Sequence, residues 1–204
     1  MGIPGFSTWF LKKFGFACSV GGVRAVDHLY IDLNAYIHNL INSKNEEAFI
    51  LRLFAILDNI FKIAQPKKSL FLVLDGSAPL AKLLQQRKRR ITRKAKHKVF
   101  DSNQITPGTI FMNKLNKALK YYVCQRLSAM KYRYVDFYLS GSDVPGEGEL
   151  KIVNYLLKFQ GQERNDTFLI VGSDADLILQ SLNIPLPNLT LLKPHPPHHL
   201  QFKG

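Results

Sequence analysis

Residues 69–75 have the sequence SLFLVLD, in which five consecutive apolar residues are followed by Asp75. A short run that is apolar at every position is typical of a strand buried on both faces of a parallel sheet. Residues 28–33, HLYIDL, have the same character and carry Asp32 near their end. Because a long segment with helical spacing separates the two runs, they predict a strand–helix–strand unit of a parallel sheet.

On both sides of these two strands, segments with helical spacing alternate with short apolar runs. We therefore predict an α/β fold with a mostly parallel, twisted sheet and helices on both of its faces. Ligands bind such sheets at the carboxyl ends of the strands. The predicted helices are 7–14, around 36–40, 46–64, after Pro79, 109–130, 146–159 and 174–181, and the predicted strands are 28–33, 69–74, 134–139, 167–171 and 189–192.

The charge balance of the chain favours an anionic partner. Its 204 residues include 28 Lys and Arg against 15 Asp and Glu, a net charge of +13. A field of this size attracts nucleic acid or an acidic membrane face. No apolar run reaches the roughly 18 residues that span a bilayer, so we expect no membrane-spanning segment. We assign residues 1–194 to one domain and the Pro- and His-rich residues 195–204 to a C-terminal tail.

The two cysteines, Cys18 and Cys124, each lie in an apolar stretch. Two cysteines alone can form neither a disulfide framework nor a structural zinc site. They predict buried free thiols in a reducing compartment. We therefore expect an intracellular protein of the cytoplasm or nucleus, with an organelle left open.

Six of the 15 acidic residues lie where predicted strands end or where the next helices begin. Crowded carboxylates repel one another unless cations are bound, and hard oxygen ligands suit Mg²⁺ or Mn²⁺. We therefore predict a site with two such ions that hydrolyses phosphodiesters. The alternative is helix capping, since acidic residues are common in first turns. The six residues are Asp32, Asp75, Glu147, Glu149, Asp174 and Asp176.

A strongly basic segment follows the second of these strands. Residues 82–98 contain nine Lys and Arg and no acid. Four side chains of one helical face predict a pocket for a terminal phosphate beside the carboxylates, whereas the alternative is a solvated basic helix that gives only salt-dependent, sequence-independent attraction. His38 follows Asp32 by about two helical turns, where it either stacks on a base or serves as a packed or surface histidine. The four residues of the basic face are Lys82, Gln86, Arg89 and Arg90.

Six segments, in this order along the chain, carry a recognisable pattern: MGIPGFSTWF, YIDLNAYIHN, LVLDGSAPLAKLLQQRKRR, FDSNQITPGTIFM, SGSDVPGEGELKI and VGSDADLI. In order and character they resemble the N-terminal conserved region of the Xrn family of 5′-to-3′ exoribonucleases, over roughly residues 1–193. The resemblance implies a PIN/FEN-like nuclease core that degrades RNA from a 5′ monophosphate, one nucleotide at a time, with two Mg²⁺ or Mn²⁺ ions. It also implies that the six carboxylates bind the metals, that the four residues of the basic face select the 5′ phosphate, and that His38 stacks on the 5′ base.

The chain departs from the family pattern near these motifs. Ser142 and Asp143 stand where the family usually has His-Glu, and Leu150 stands where it often has His. In the family's enzymes a further metal-binding aspartate and the segments that close the channel come after the matched region. Two functions therefore stay open: an exoribonuclease, or a catalytically weak or inactive RNA-binding subunit of a ribonucleoprotein such as an organellar ribosome. A protein partner that completes the site fits either one.

Overall fold

A computed structural model describes residues 5–18, 24–80, 82, 84, 102–159, 165–172 and 174–193. Five strands form one sheet, and every neighbouring pair in it is parallel. In space their order is β3-β2-β1-β4-β5. The predicted α/β fold with a parallel sheet is confirmed. The strands are β1 (Arg24–Asp32), β2 (Ala64–Val73), β3 (Asp136–Ser140), β4 (Phe168–Val171) and β5 (Leu189–Leu192).

Helices cover both faces of the sheet, as predicted. Alternate strand residues point to opposite faces. Leu29 and Leu70 pack in one apolar cluster with α3 and α4. Tyr30 and Phe71 pack in a second cluster with α5 and α6. The helices are α1 (Phe6–Lys13), α2 (Asn34–Ile37), α3 (Glu46–Ile63), α4 (Ile110–Leu127), α5 (Gly148–Leu156) and α6 (Ala175–Leu182).

The strand order places a topological switch point at β1. The chain moves from β1 to β2 and β3 on one side, and β4 and β5 lie on the other. Asp32, the last residue of β1, pairs in register with Val73, and the preceding Ile31 pairs with Val171. The carboxyl ends of the three central strands therefore meet at one edge. A crevice at such a switch point is the usual ligand site of an open α/β sheet.

The helix α3 shows why these predictions succeed. Asn45 caps it, since the Asn45 side chain accepts the Ala48 N–H at 2.8 Å. Phe49, Leu53 and Leu57 follow at four-residue intervals and are buried, so one stripe of the helix faces the sheet. The helix passes directly into β2 at Ala64, which makes β2 longer than predicted.

Other local predictions were wrong. The expected capping residue of the predicted helix 7–14, Ser7, does not cap it, because α1 begins at Phe6 after Gly5, whose positive φ of 79° suits glycine. Both cysteines are exposed. Val123 faces the core, and Cys124, one residue further, is rotated about 100° around α4 toward solvent.

The C-terminal tail lies outside the described residues, and no described helix has both the length and the apolarity needed to cross a membrane.

Candidate active site

Two carboxylates at the ends of β1 and β2 face the start of α5. Asp32 Oδ1 accepts the Asn34 N–H at 3.0 Å, and Asp75 Oδ1 accepts the Gly148 N–H at 2.6 Å. The first turn of a helix leaves its N–H groups without partners inside the helix, so Gly148 is free to donate. A β-carbon on Gly148 would lie 3.0 Å from Asp32 Oδ1 and 3.2 Å from Asp75 Oδ1. Glycine therefore permits both carboxylates to approach the same point of α5.

A second group of carboxylates lies on the helices α5 and α6. Carboxylate oxygens of Glu149, Asp174 and Asp176 lie within 4.8 Å of one another. Asp174 also caps α6 with a long hydrogen bond of 3.4 Å from the Asp176 N–H. The capping alternative thus applies to Asp174, but it does not apply to Glu147. Glu147 occupies the N-cap position of α5 and its side chain makes no capping hydrogen bond.

The two groups form one electrostatic cluster. Burial raises the pKa of Asp32 to about 7, and the negative charges of Asp75, Glu149 and Asp174 add to this rise. Burial likewise raises the pKa of Glu149 to about 7, with Asp174 as its strongest acidic neighbour. The pKa of Asp75 is also raised, mainly by burial. The cluster contains all six carboxylates selected from the sequence, because Glu147 and Asp176 act on Glu149 as well.

Two cationic groups border the cluster. Lys82, in the helical segment after Pro79, forms an ion pair with Glu147 through Nζ and Oε2. His38 is exposed in the turn that follows α2, and its charge lowers the pKa of Asp75. The structure therefore brings both residues near the carboxylates. Gln86, Arg89 and Arg90 lie outside the described residues, and their place in a phosphate pocket stays a prediction.

A cavity of about 360 Å³ opens beside the Lys82–Glu147 pair. Gln180 of α6 borders it, and among the described residues nothing donates a hydrogen bond to the buried Gln180 Oε1. A buried polar atom without a partner is rare and is usually satisfied by water or a ligand. Gln180 is not among the residues predicted from the sequence, since a glutamine in a helix carries no signal of its own. The cavity is lined by Lys82, Glu147, Glu149, Leu150, Asp176, Leu179 and Gln180.

Comparison with known proteins gives the family. A family model described as the XRN 5'-3' exonuclease N-terminus matches residues 1–99 and 91–195. This chain belongs to the Xrn family. Its five-stranded parallel sheet with flanking helices is consistent with a PIN-like nuclease core.

Curated relatives of this Xrn domain are considerably longer. The chain is 34% identical to 5'-3' exoribonuclease 1 of Saccharomyces cerevisiae, over 95% of the chain and 15% of the relative. It is 32% identical to 5'-3' exoribonuclease 2 of Gallus gallus, over 95% of the chain and 27% of the relative. It is 35% identical to the 5'-3' exoribonuclease 2 homolog of Drosophila melanogaster, over 82% of the chain and 23% of the relative. The chain thus matches about a quarter or less of each of these proteins.

Ser142 and Asp143, the two neighbouring residues that depart from the Xrn family pattern, both contact Asn116. Asn116, buried on α4, donates to Ser142 Oγ at 3.0 Å and accepts the Ser142 N–H at 3.1 Å. The same amide lies 3.4 Å from Asp143 Oδ1. These bonds fix the loop after β3 against α4. Leu150, the third residue that departs from the family pattern, lines the cavity with an apolar side chain.

Lys151 is a residue of the candidate site that was not predicted from the sequence. Its Nζ donates to the Leu74 carbonyl at 2.8 Å and to the Gly141 carbonyl at 3.0 Å, so it links the ends of β2 and β3. Burial lowers its pKa. The available signal was a cation in the first turn of α5, where the helix dipole disfavours positive charge and a specific acceptor is needed.

Proposed function

We propose that this Xrn domain is a metal-dependent exoribonuclease that hydrolyses phosphodiesters of RNA from a 5′ monophosphate. The observation that carries the proposal is the cluster of six carboxylates at one sheet edge, in which burial raises the pKa of both Asp32 and Glu149 to about 7. Negative charges are assembled there at a cost that bound cations would relieve. The curated relatives named 5'-3' exoribonuclease support the reaction class.

The donor set fits Mg²⁺ or Mn²⁺. It consists of carboxylate oxygens, the ligands that these hard cations prefer. Glu149, Asp174 and Asp176 would hold one ion, since their oxygens already lie within 4.8 Å of one another. Asp32 and Asp75 would hold a second, with Glu147 next to both groups. When bound, two such ions supply an activated water and neutralise charge on the phosphodiester.

The remaining side chains would orient the RNA. The Lys82 ammonium has three donors, so it can keep its bond to Glu147 and still bind a phosphate oxygen. The cavity beside Lys82 has room for a terminal phosphate. We propose that Gln86, Arg89 and Arg90 complete the phosphate pocket, because they follow Lys82 at helical spacing. His38, which acts electrostatically on Asp75, would stack on the 5′ base.

The decisive experiment supplies purified protein with RNA of about 20 nucleotides that carries either a 5′ monophosphate or a 5′ hydroxyl, with Mg²⁺ or Mn²⁺. We expect mononucleotides from the phosphorylated RNA, and none from Asp174→Asn. Electron paramagnetic resonance should show Mn²⁺ bound to the wild type and weakened in Asp174→Asn, which reads out the metal site without turnover. Phosphorylated RNA that stays intact with either metal contradicts the proposal.

The RNA-binding subunit of a ribonucleoprotein is the second candidate, and the net charge of +13 supports RNA binding. It predicts RNA binding without turnover and without regard to the 5′ end. A tenfold preference for a 5′ monophosphate would exclude it. A protein partner that completes the site, and the compartment in which it acts, belong to the same proposal. Copurification of a protein that restores turnover would identify that partner.

A further inference from the structure

The outer face of α4 is basic and lies outside the carboxylate cluster. Residues 102–135 contain six Lys and Arg and no Asp or Glu. Lys114, Lys117 and Lys120 are exposed and follow one another at three-residue intervals, so they lie on one side of the helix. At 1.5 Å per residue they span about 9 Å along its axis. We call these three lysines and Tyr121 the α4 basic face.

In the described part of the chain, one ion pair with a carboxylate involves these three lysines. Lys114 pairs with Glu46 of α3, 2.8 Å away, and half of its side chain is still exposed. Among the described residues, Lys117 and Lys120 form no ion pair with a carboxylate. Adjacent exposed cations repel one another, so this row of lysines favours an anionic ligand.

Exposed aromatic rings accompany the cations. Tyr121 is 66% exposed and lies one turn after Lys117, and Tyr134 is 81% exposed in the segment that follows α4. The guanidinium of Arg133 lies 5.5 Å from the centre of the Tyr134 ring. Aromatic rings beside cations are the pattern of single-stranded nucleic acid binding, in which bases stack on rings while phosphates pair with Lys and Arg.

The face is connected to the candidate active site. Asn116, on the buried side of α4, bonds to Ser142 in the loop after β3, so this end of the helix lies at the carboxyl edge of the sheet. The other end lies at the amino edge, because β3 begins at Asp136 shortly after α4 ends. The row of lysines therefore leads from the carboxylate edge along the outside of the molecule.

We propose that the α4 basic face binds the backbone of single-stranded RNA, independently of the 5′ end and of metal ions. Lys117 and Lys120 pair with phosphates, and Tyr121 stacks on a base. This surface goes beyond the proposed nuclease function, since it needs none of the six carboxylates and none of the residues of the phosphate pocket. It holds RNA whether or not the domain turns it over.

The first test measures RNA binding under conditions without hydrolysis. A 5′-hydroxyl RNA of about 20 nucleotides is titrated in EDTA at several salt concentrations. In the double variant Lys117→Gln, Lys120→Gln, we expect roughly tenfold weaker binding and a log–log salt slope reduced by about 1.4, or about 0.7 for each lost phosphate contact. The matched control is Lys158→Gln, Lys193→Gln, which removes the same charge from two exposed lysines that follow α5 and β5. Equal losses in both double variants would overturn the proposal.

A second test locates the RNA. Cys124 is exposed on the same side of α4, one turn after Lys120 and Tyr121. With Cys18→Ser it becomes the only thiol of the chain. Bound RNA should slow alkylation of Cys124 several-fold, and Tyr121→Ala should weaken both binding and protection. Alkylation at an unchanged rate while RNA is bound would overturn the proposal.

The outcome is separable from that of the nuclease proposal. Weaker RNA binding and a smaller salt slope in the variant Lys117→Gln, Lys120→Gln support RNA binding by the α4 basic face, even if the wild type degrades no RNA. If the wild type degrades RNA but the double variant binds RNA as tightly as the wild type, the nuclease proposal stands and this inference is overturned. Vesicles that contain phosphatidylserine serve as the competing anionic surface, and binding to them without binding to RNA also overturns it.

Discussion

Asp75 Oδ1 accepts the backbone N–H of Gly148 at 2.6 Å, a bond that joins the end of β2 to the first residue of α5. Through it, the helix that carries Glu149 is fixed to the segment that carries Asp75, directly after β2. Asp32 lies beside the same glycine, so one backbone position sets the spacing of carboxylates from three elements. The charge cluster therefore depends on a residue with no side chain.

Gly148→Ala tests this dependence. The added methyl group would meet both carboxylates at 3.0–3.2 Å and force them apart or weaken the Asp75 bond. We expect a loss of about 1–3 kcal/mol in the free energy of unfolding and at least tenfold weaker Mn²⁺ binding. Urea denaturation and Mn²⁺ titration measure the two effects. Gly15→Ala is the control, because a β-carbon at Gly15 has nothing within 4 Å. Wild-type Mn²⁺ affinity in Gly148→Ala would contradict the prediction.

Stability of the metal-free protein should fall as pH rises toward 8. Asp32 and Glu149 have pKa values of about 7 in the folded state, above their ordinary values of 3.8 and 4.5. Between those values the folded protein binds protons that the unfolded chain has released, so stabilisation present at low pH is lost as pH rises through about 7. Thermal melts in EDTA from pH 5 to 8.5 should show a decrease in Tm of roughly 3 °C or more.

Added Mn²⁺ should reverse this trend, since cations replace the protons on the carboxylates. Asp32→Asn removes one of the two groups and should flatten the pH dependence in EDTA. If Tm in EDTA rises from pH 5 to 8.5, the two carboxylates are not protonated in the folded state and the prediction fails.

Much of the carboxylate edge could be predicted from the sequence because two simple regularities act together. Continuous apolar runs before Asp32 and Asp75 predict buried parallel strands, and a parallel register brings their carboxyl ends to one edge. The acids of α5 and α6 follow because each helix starts at that edge. Neither inference needs a knowledge of side-chain packing.

What could not be predicted depends on packing between distant segments. Lys151 reaches the carbonyl groups of Leu74 and Gly141 only because β2 and β3 are neighbours in space. The clearance at Gly148 likewise depends on how close α5 lies to β1 and β2. The exposure of Cys124 depends on the rotation of α4 against the sheet, which an apolar stretch does not specify. Sequence patterns identify the elements, whereas these contacts need their relative positions.

Lys151→Met should destabilise the fold by about 1–3 kcal/mol. The change keeps a long apolar stem and leaves the Leu74 and Gly141 carbonyls without their donor. The lysine charge also lowers the pKa of Asp75, so its removal should raise the pH at which Mn²⁺ binds. Urea denaturation gives the first effect, and Mn²⁺ titration at several pH values gives the second. Lys158→Met, at an exposed position, should change stability by less than about 0.5 kcal/mol. Equal stability of the two variants would show that the Lys151 bonds contribute nothing.

Lys82→Gln should weaken selection of the 5′ phosphate more than it weakens RNA binding. The Lys82 ammonium forms an ion pair with Glu147 beside the cavity. Its negative neighbours raise the pKa of Lys82, so the side chain is charged at neutral pH. Glutamine keeps a hydrogen-bond donor but loses the charge that attracts a phosphate dianion. We expect the preference for 5′-monophosphate over 5′-hydroxyl RNA to fall about tenfold, while affinity for 5′-hydroxyl RNA changes less than twofold. Competition binding in Ca²⁺ with both RNAs measures the ratio. A parallel loss for both RNAs would assign Lys82 to general backbone attraction, the role that we propose for the α4 basic face.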